Sequence, residues 1–173
     1  MSAAAVPPGA PWPSPDVETY RRAAGRFATG VCVVTTRDGR LDHAITVSSF
    51  ASVSLDPVLV LVCVHQDSRF LDAVTETRTW GLSVLAARAR PAAAWLATPG
   101  RPVVDQLAQV PHRRGPLTGA ALLDGSVATM ECATEAEHAA GTHVLLVGRV
   151  LDVSLGPEDE RPLLHHRGAF SEL

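Results

Sequence analysis

At 173 residues the chain is long enough for one domain with a sizeable core and too short for two of ordinary size. Its 15 Lys and Arg against 18 Asp and Glu give a formal charge of -3 with no basic block or stripe, which argues against a nucleic-acid partner. The 3 cysteines, Cys32, Cys63 and Cys132, stand far apart inside apolar runs with no C-x-x-C pair, so they read as buried reduced thiols and not as a disulfide frame or zinc site.

The first residues lack the basic start and long apolar segment of a secretory signal, and no later apolar run approaches the span of a bilayer. The expectation is a cytoplasmic protein with no membrane segment. Residues 1–14 carry Pro7, Pro8, Pro11 and Pro13 among Ala and Gly, which buries too little surface to offset ordering entropy. They read as a disordered tail before a domain over 15–173.

Ser14-Pro15-Asp16 has the form of a helix start, with Ser14 as N-cap, Pro15 at the first helical position and Asp16 and Glu18 at the positive end of the dipole. Tyr20, Ala23, Ala24 and Phe27 recur at three and four residues as one apolar face, and Gly30 closes the helix. Val31 to Thr36 is β-branched and nearly all apolar, as a strand buried on both faces would be. Asp38-Gly39 makes a turn, Leu41 to Ser48 returns, and Val58 to Val64 is a further buried strand after the Asp56-Pro57 break, which together suggest an antiparallel meander.

Between them lies the stretch from Thr46 to Pro57, with hydroxyls at Thr46, Ser48, Ser49, Ser52 and Ser54 set among apolar residues. Taken alone it reads first as a Ser-rich edge strand running into an ordinary turn, and second as a hydrogen-bonding surface for a flat polar ligand. Ser68 stands as N-cap of a short helix reaching about Thr77, and the N–H groups there, with Arg69 alongside, suit a phosphate; capping alone also accounts for Ser68. Trp80 to Leu85 is a strand, Arg88 to Ala97 an Ala-rich helix, and 98–119, rich in Pro and Gly, mostly a long loop of the kind that is either functional or mobile. Leu122 to Glu137 and His143 to Val150 form a long hairpin about Gly141, and Leu163 to His166 a last short strand. At least six strands, mostly antiparallel, with two or three short helices make a mostly-β barrel with peripheral helices.

No dinucleotide fingerprint, P-loop or esterase elbow is present. Cys132, His138 and His143 match no standard metal spacing, and the adjacent His165 and His166 would point to opposite faces of a strand, so no metal is expected. His143 opens a strand directly after a turn, where an imidazole either faces a ligand at the barrel mouth or simply lies on the surface.

Several segments in order resemble the flavin reductase family of two-component monooxygenases. They are Phe27 to Thr36, then Ser48 to Pro57, then Gly141-Thr142-His143 with Val147-Gly148-Arg149-Val150, and finally Pro162-Leu163-Leu164-His165-His166-Arg167-Gly168. The resemblance, over about residues 20 to 170, implies an antiparallel split β-barrel, the FMN-binding split barrel, acting as a homodimer. It implies hydride transfer from NADH or NADPH to FMN or FAD and delivery of reduced flavin to a separate oxygenase or halogenase. It also implies flavin contacts at Thr46, Ser48, Ser49, Phe50, Ala51, Ser52, Ser54 and Leu55, phosphate contacts at Ser68, Arg69 and Phe70, and nicotinamide contacts at His143, His166, Arg167 and Gly168, with His143 as the catalytic candidate.

Such chemistry needs two rings held at reacting distance and charge stabilised on the reduced flavin, with no protein nucleophile, acid or base. The chain departs from the family pattern at Gln106-Leu107, where a basic residue and Phe are common, at His165-His166, where an aromatic pair is usual, at Ser83 and at Val58. Two other functions remain open from the residues alone: a flavin-dependent oxidase or tailoring enzyme on the same barrel, and a non-catalytic flavin or haem carrier.

Overall fold

The computed structural model describes residues 12–172, so most of the expected tail lies outside the described residues. Helix α1 (Val17–Ala24) is capped by Asp16 and not by Ser14, because the Asp16 carboxylate accepts the Thr19 N–H at 2.8 Å. It ends at Gly25, five residues before Gly30; Gly30 is drawn instead into the short strand β1 (Thr29–Gly30), which pairs with β11 (Leu163–His166). The apolar face expected on this helix is left uncovered among the described residues, with Tyr20 62% and Phe27 77% exposed.

Seven strands form one antiparallel sheet: β2 (Cys32–Asp38), β3 (Leu41–Val47), β4 (Ala51–Leu55), β5 (Val58–His65), β6 (Thr79–Leu85), β9 (Ser126–Ala140) and β10 (His143–Leu155). Their order is β3-β2-β6-β9-β10-β5-β4. This corrects the meander. The β2–β3 and β4–β5 hairpins are present, but β3 and β4 sit at opposite ends of the sheet because later strands insert between β2 and β5.

Only Ser48, Ser49 and Phe50 join those two ends. Four Cα steps span about 14 Å at most, whereas seven strands laid flat at a spacing of about 4.8 Å would hold the edges about 29 Å apart. The sheet therefore curls until its edges come close without pairing, which is the split barrel.

β2 separates two apolar clusters, and that explains its burial on both faces. Cys32 and Val34 face Val62, Val64, Val74, Trp80 and Leu146, while Val31 and Val33 lie among Leu85, Leu96, Leu107, Val110 and Leu163. Burial pushes the Cys32 thiol up to about 12, and burial with the nearby Glu131 charge does the same for Cys132. Both are inert thiols at neutral pH. Helix α2 (Arg69–Thr77), capped by Ser68 as expected, seals the first cluster with Phe70, Leu71 and Val74.

Over the second cluster lie a 3₁₀ turn (Ala87–Ala89) and α3 (Arg90–Ala97). The long loop beyond holds one short strand, β7 (His112–Arg114), paired with β8 (Ala121–Leu123). The loop is tied down by buried Glu131, whose Oε1 accepts the N–H groups of Leu117 at 3.0 Å and Thr118 at 2.7 Å. A strand absent from the sequence reading, β12 (Ala169–Glu172), turns back on β11 about Arg167 and Gly168, both at positive φ.

Candidate active site

A cleft of about 430 Å³ opens where the sheet's edges approach. β3 supplies His43, Ala44, Ile45 and Thr46, the end of β5 supplies His65, and the start of α2 supplies Ser68, Arg69 and Phe70. The loop after α3 closes the other side with Arg101 and Gln106. Thr46, Ser68, Arg69 and Phe70, four of the residues expected to hold the flavin, are thus brought together.

The remainder of the Ser-rich stretch divides. Ser49 sits in the seam between the sheet edges, where its hydroxyl accepts the Cys63 N–H at 2.8 Å and donates to the Cys63 carbonyl at 3.1 Å. Ser54 accepts the Asp56 N–H at 3.2 Å, so that hydroxyl shapes the turn into the cis Asp56–Pro57 bond. Ser48 and Ser52 are exposed and Ala51 is half-buried. Phe50 packs on the first cluster, and Leu55 stands 84% exposed. None of these line the cleft itself, which reaches the stretch only at Thr46.

His143 lies opposite His65 across the β5–β10 ladder, the two rings meeting edge to face with centroids 5.1 Å apart. His65 lines the cleft, which puts His143 at its rim. His143 Nδ1 shares a 3.0 Å hydrogen bond with the Thr142 hydroxyl, and His65 Nδ1 accepts the Asp67 N–H at 3.2 Å. His166, Arg167 and Gly168 are elsewhere in the protomer. They form the β11–β12 turn against α1, where the Arg167 N–H donates to the Gly25 carbonyl at 2.8 Å and Arg167 and Gly168 line a separate cleft with Arg21, Arg22 and Arg26.

The flavin reductase-like domain family matches residues 24–173. This chain belongs to that family. Among curated relatives it is 38% identical over 157 residues to an NADH-dependent FMN reductase, AsuE2, of Streptomyces nodosus subsp. asukaensis, covering 89% of this chain and 83% of that protein. Among solved structures it superimposes with a TM-score of 0.85 and 40% identity on BorF, the flavin reductase component of a bacterial two-component tryptophan halogenase, covering 91% of this chain and 98% of that one. The NADH:FAD oxidoreductase SgcE6 of Streptomyces globisporus C-1027, solved in complex with NAD and FAD fragments, matches with a TM-score of 0.85 at 35% identity, covering 99% of this chain and 97% of its own.

As a flavin reductase relative, the chain shows what its departures do. Gln106, at the position noted as commonly basic, is buried. Its Oε1 accepts from Arg101 Nε at 3.3 Å, its Nε2 donates to the Asp42 and Val103 carbonyls, and its own carbonyl accepts the Trp95 indole N–H at 2.8 Å. Leu107 fills the second cluster. Ser83 is buried and accepts the Leu123 N–H at 2.9 Å, so it serves the β6–β8 junction. His165 meets Phe170 edge to face at 5.9 Å, an aromatic pair made across the hairpin in place of one along the strand.

Sequence reasoning missed His43, His65 and Arg101. Each is a single polar residue with no periodic signal, brought to the cleft from a different segment. Among the described residues the two ring nitrogens of His43 are buried without hydrogen-bond partners, a polar surface on the cleft wall.

Proposed function

We propose that this protein is an NAD(P)H:flavin oxidoreductase that moves hydride from NADH or NADPH to FMN or FAD and supplies reduced flavin to a separate oxygenase or halogenase. The observation that carries the reading is the cleft at the sheet seam, where a cationic, hydroxyl-bearing end at Ser68 and Arg69 faces a histidine-edged rim at His65 and His143. Such a site fits a ligand with a phosphate at one end and a flat ring system at the other. Hydride transfer itself is chemistry that the bound flavin and nicotinamide supply.

The chain's part is to bind and align. Ser68, Arg69 and Phe70 take the phosphate end. Thr46 lies against the ring, with the stretch from Ser48 to Leu55 bordering it beyond the cleft wall. His143 orients the nicotinamide, and His166, Arg167 and Gly168 contact the nucleotide from their own hairpin. The relatives named for NADH favour NADH as donor, and the family's reductase components favour a separate acceptor enzyme.

We further propose a homodimer. Leu151, Val153 and Leu155 lie on one face of β10 beyond its pairing with β5, and with Val53, Leu55 and Val58 they expose an apolar surface that a second copy covers. The free cysteines suit a reducing cytoplasm. No helix among the described residues is long and apolar enough to cross a membrane.

The test is a steady-state assay of the purified protein with each of FMN and FAD against each of NADH and NADPH, following loss of nicotinamide absorbance. Oxidation with at least one pair is expected. No oxidation with any pair overturns the reading.

A further inference from the structure

Arg69, the first residue of α2, and Arg101, in the loop after α3, meet in the seam cleft. Arg69 Nη2 donates to the Arg101 carbonyl at 2.5 Å, which holds the two cationic side chains on adjoining ground. Arg101 is fixed more firmly still, with Nε on Gln106 Oε1 at 3.3 Å, Nη1 on the Thr98 carbonyl at 3.1 Å and Nη2 on the Ala44 carbonyl. All of these acceptors are uncharged.

Among the described residues neither guanidinium has a carboxylate within ion-pair distance. The exposed Asp67 lines the same cleft but approaches His65, at 3.8 Å. Burial and the Arg69 charge hold the Arg101 pKa below its ordinary value, the expected sign for a half-buried cation beside another of its kind. Two such charges without a counter-ion are an unfavourable arrangement that an anion would relieve.

The donors for that anion are in place. A guanidinium carries five N–H groups. The bonds above engage one from Arg69 and three from Arg101, so both forks keep N–H groups free of these contacts. The N-terminal turn of α2 lines the same cleft and adds its own positive end.

Resting on the reading of the site as a flavin site, we infer that Arg101 is a specificity residue that forms with Arg69 a two-guanidinium clamp on the 5′-phosphate common to FMN and FAD. Gln106 is its positioning residue. Buried, with its side-chain Nε2 donating to the Asp42 and Val103 carbonyls and its own carbonyl accepting the Trp95 indole N–H, it sets the angle at which Arg101 enters the cleft without adding a charge of its own.

Equilibrium binding of FMN, FAD and riboflavin, read by quenching of flavin fluorescence, tests this, because riboflavin lacks the phosphate. Arg101→Met is expected to weaken binding of FMN, FAD or both by about tenfold or more while leaving riboflavin unchanged. Whichever flavin loses affinity is the one whose phosphate the clamp holds. Arg101→Lys, which keeps the charge and loses the fork, should recover part of the loss at a thermal midpoint close to that of the native protein.

Equal losses for riboflavin and FMN would assign Arg101 a structural role and overturn the inference. Unchanged FMN and FAD binding, or a raised KM for NADH in place of weakened flavin binding, would overturn it too. Native protein that binds phosphorylated flavins through Arg101 but reduces none of them would support the clamp and remove the reductase reading, so the two failures are separable.

Discussion

Ser49 is bonded on both sides, taking a hydrogen bond from the Cys63 N–H and giving one to the Cys63 carbonyl, so its side chain stands in for a missing rung of ladder where the sheet edges meet. Ser49→Ala should cost about 1–3 kcal/mol of stability, the range for stranding a partly buried backbone group, and urea denaturation would register it as a lower midpoint. A change within measurement error would mean that water satisfies Cys63 equally well. His143 is a different kind of residue, placed at a rim with one bond to its neighbour's hydroxyl. For His143→Ala we expect a KM for NADH raised about tenfold, as when a binding contact of about 1.4 kcal/mol is lost, with flavin affinity unchanged; a shift in flavin affinity alone would move His143 to the other ligand. Ser68 was legible because capping is a local rule, satisfied by its own helix. The fates of Ser49 and Ser54 were not, because a run of hydroxyls looks the same in sequence whether each one faces a ligand or a carbonyl of its own chain.

At the scale of elements, α1 shows how local signals compete. Ser14, Pro15 and Asp16 all carry start signals, and the carboxylate prevails because it reaches the Thr19 N–H. The Thr19 backbone N–H, then its hydroxyl, and the Glu18 N–H favour the charged form and hold the Asp16 pKa below 3.8. A depressed folded value means that the cap's contribution is complete above the unfolded pKa and is lost as pH falls through the folded one. An NMR titration of the Asp16 carboxyl should therefore give a midpoint under 3.8, and one at or above that value would show that the cap is not formed in solution. Strand β2 was readable because burial on two faces writes itself as a continuous apolar run. β12 was not: Ala169 to Glu172 is mostly exposed and short, and only its hairpin partner makes it a strand.

For the whole molecule, the composition and number of strands announced a mostly-β barrel, but the order of the strands depends on pairings between distant segments. Such pairings, Cys32 with Val84 or Val62 with Leu146 among them, leave no trace at either site taken alone. The exposed apolar rows were equally hidden, since alternation says which residues share a face and not whether anything covers it. Val153→Glu with Leu155→Glu would place two carboxylates on that face and should shift a dimer to monomer in analytical ultracentrifugation while circular dichroism stays native. A native protein that sediments as a monomer would remove the proposed assembly. The strand order also bears on how the chain is made. By the time Phe50 to His65 have left the ribosome, the inner flanks of both β2 and β5 still await neighbours, and the one for β5 arrives only with residues 143 to 149. β6 covers the flank of β2 by residue 85 but opens its own, which waits for β9, so the nascent polypeptide must keep two sticky flanks apart until most of it has been translated, and its yield in a cell should track the supply of chaperones that shield such flanks.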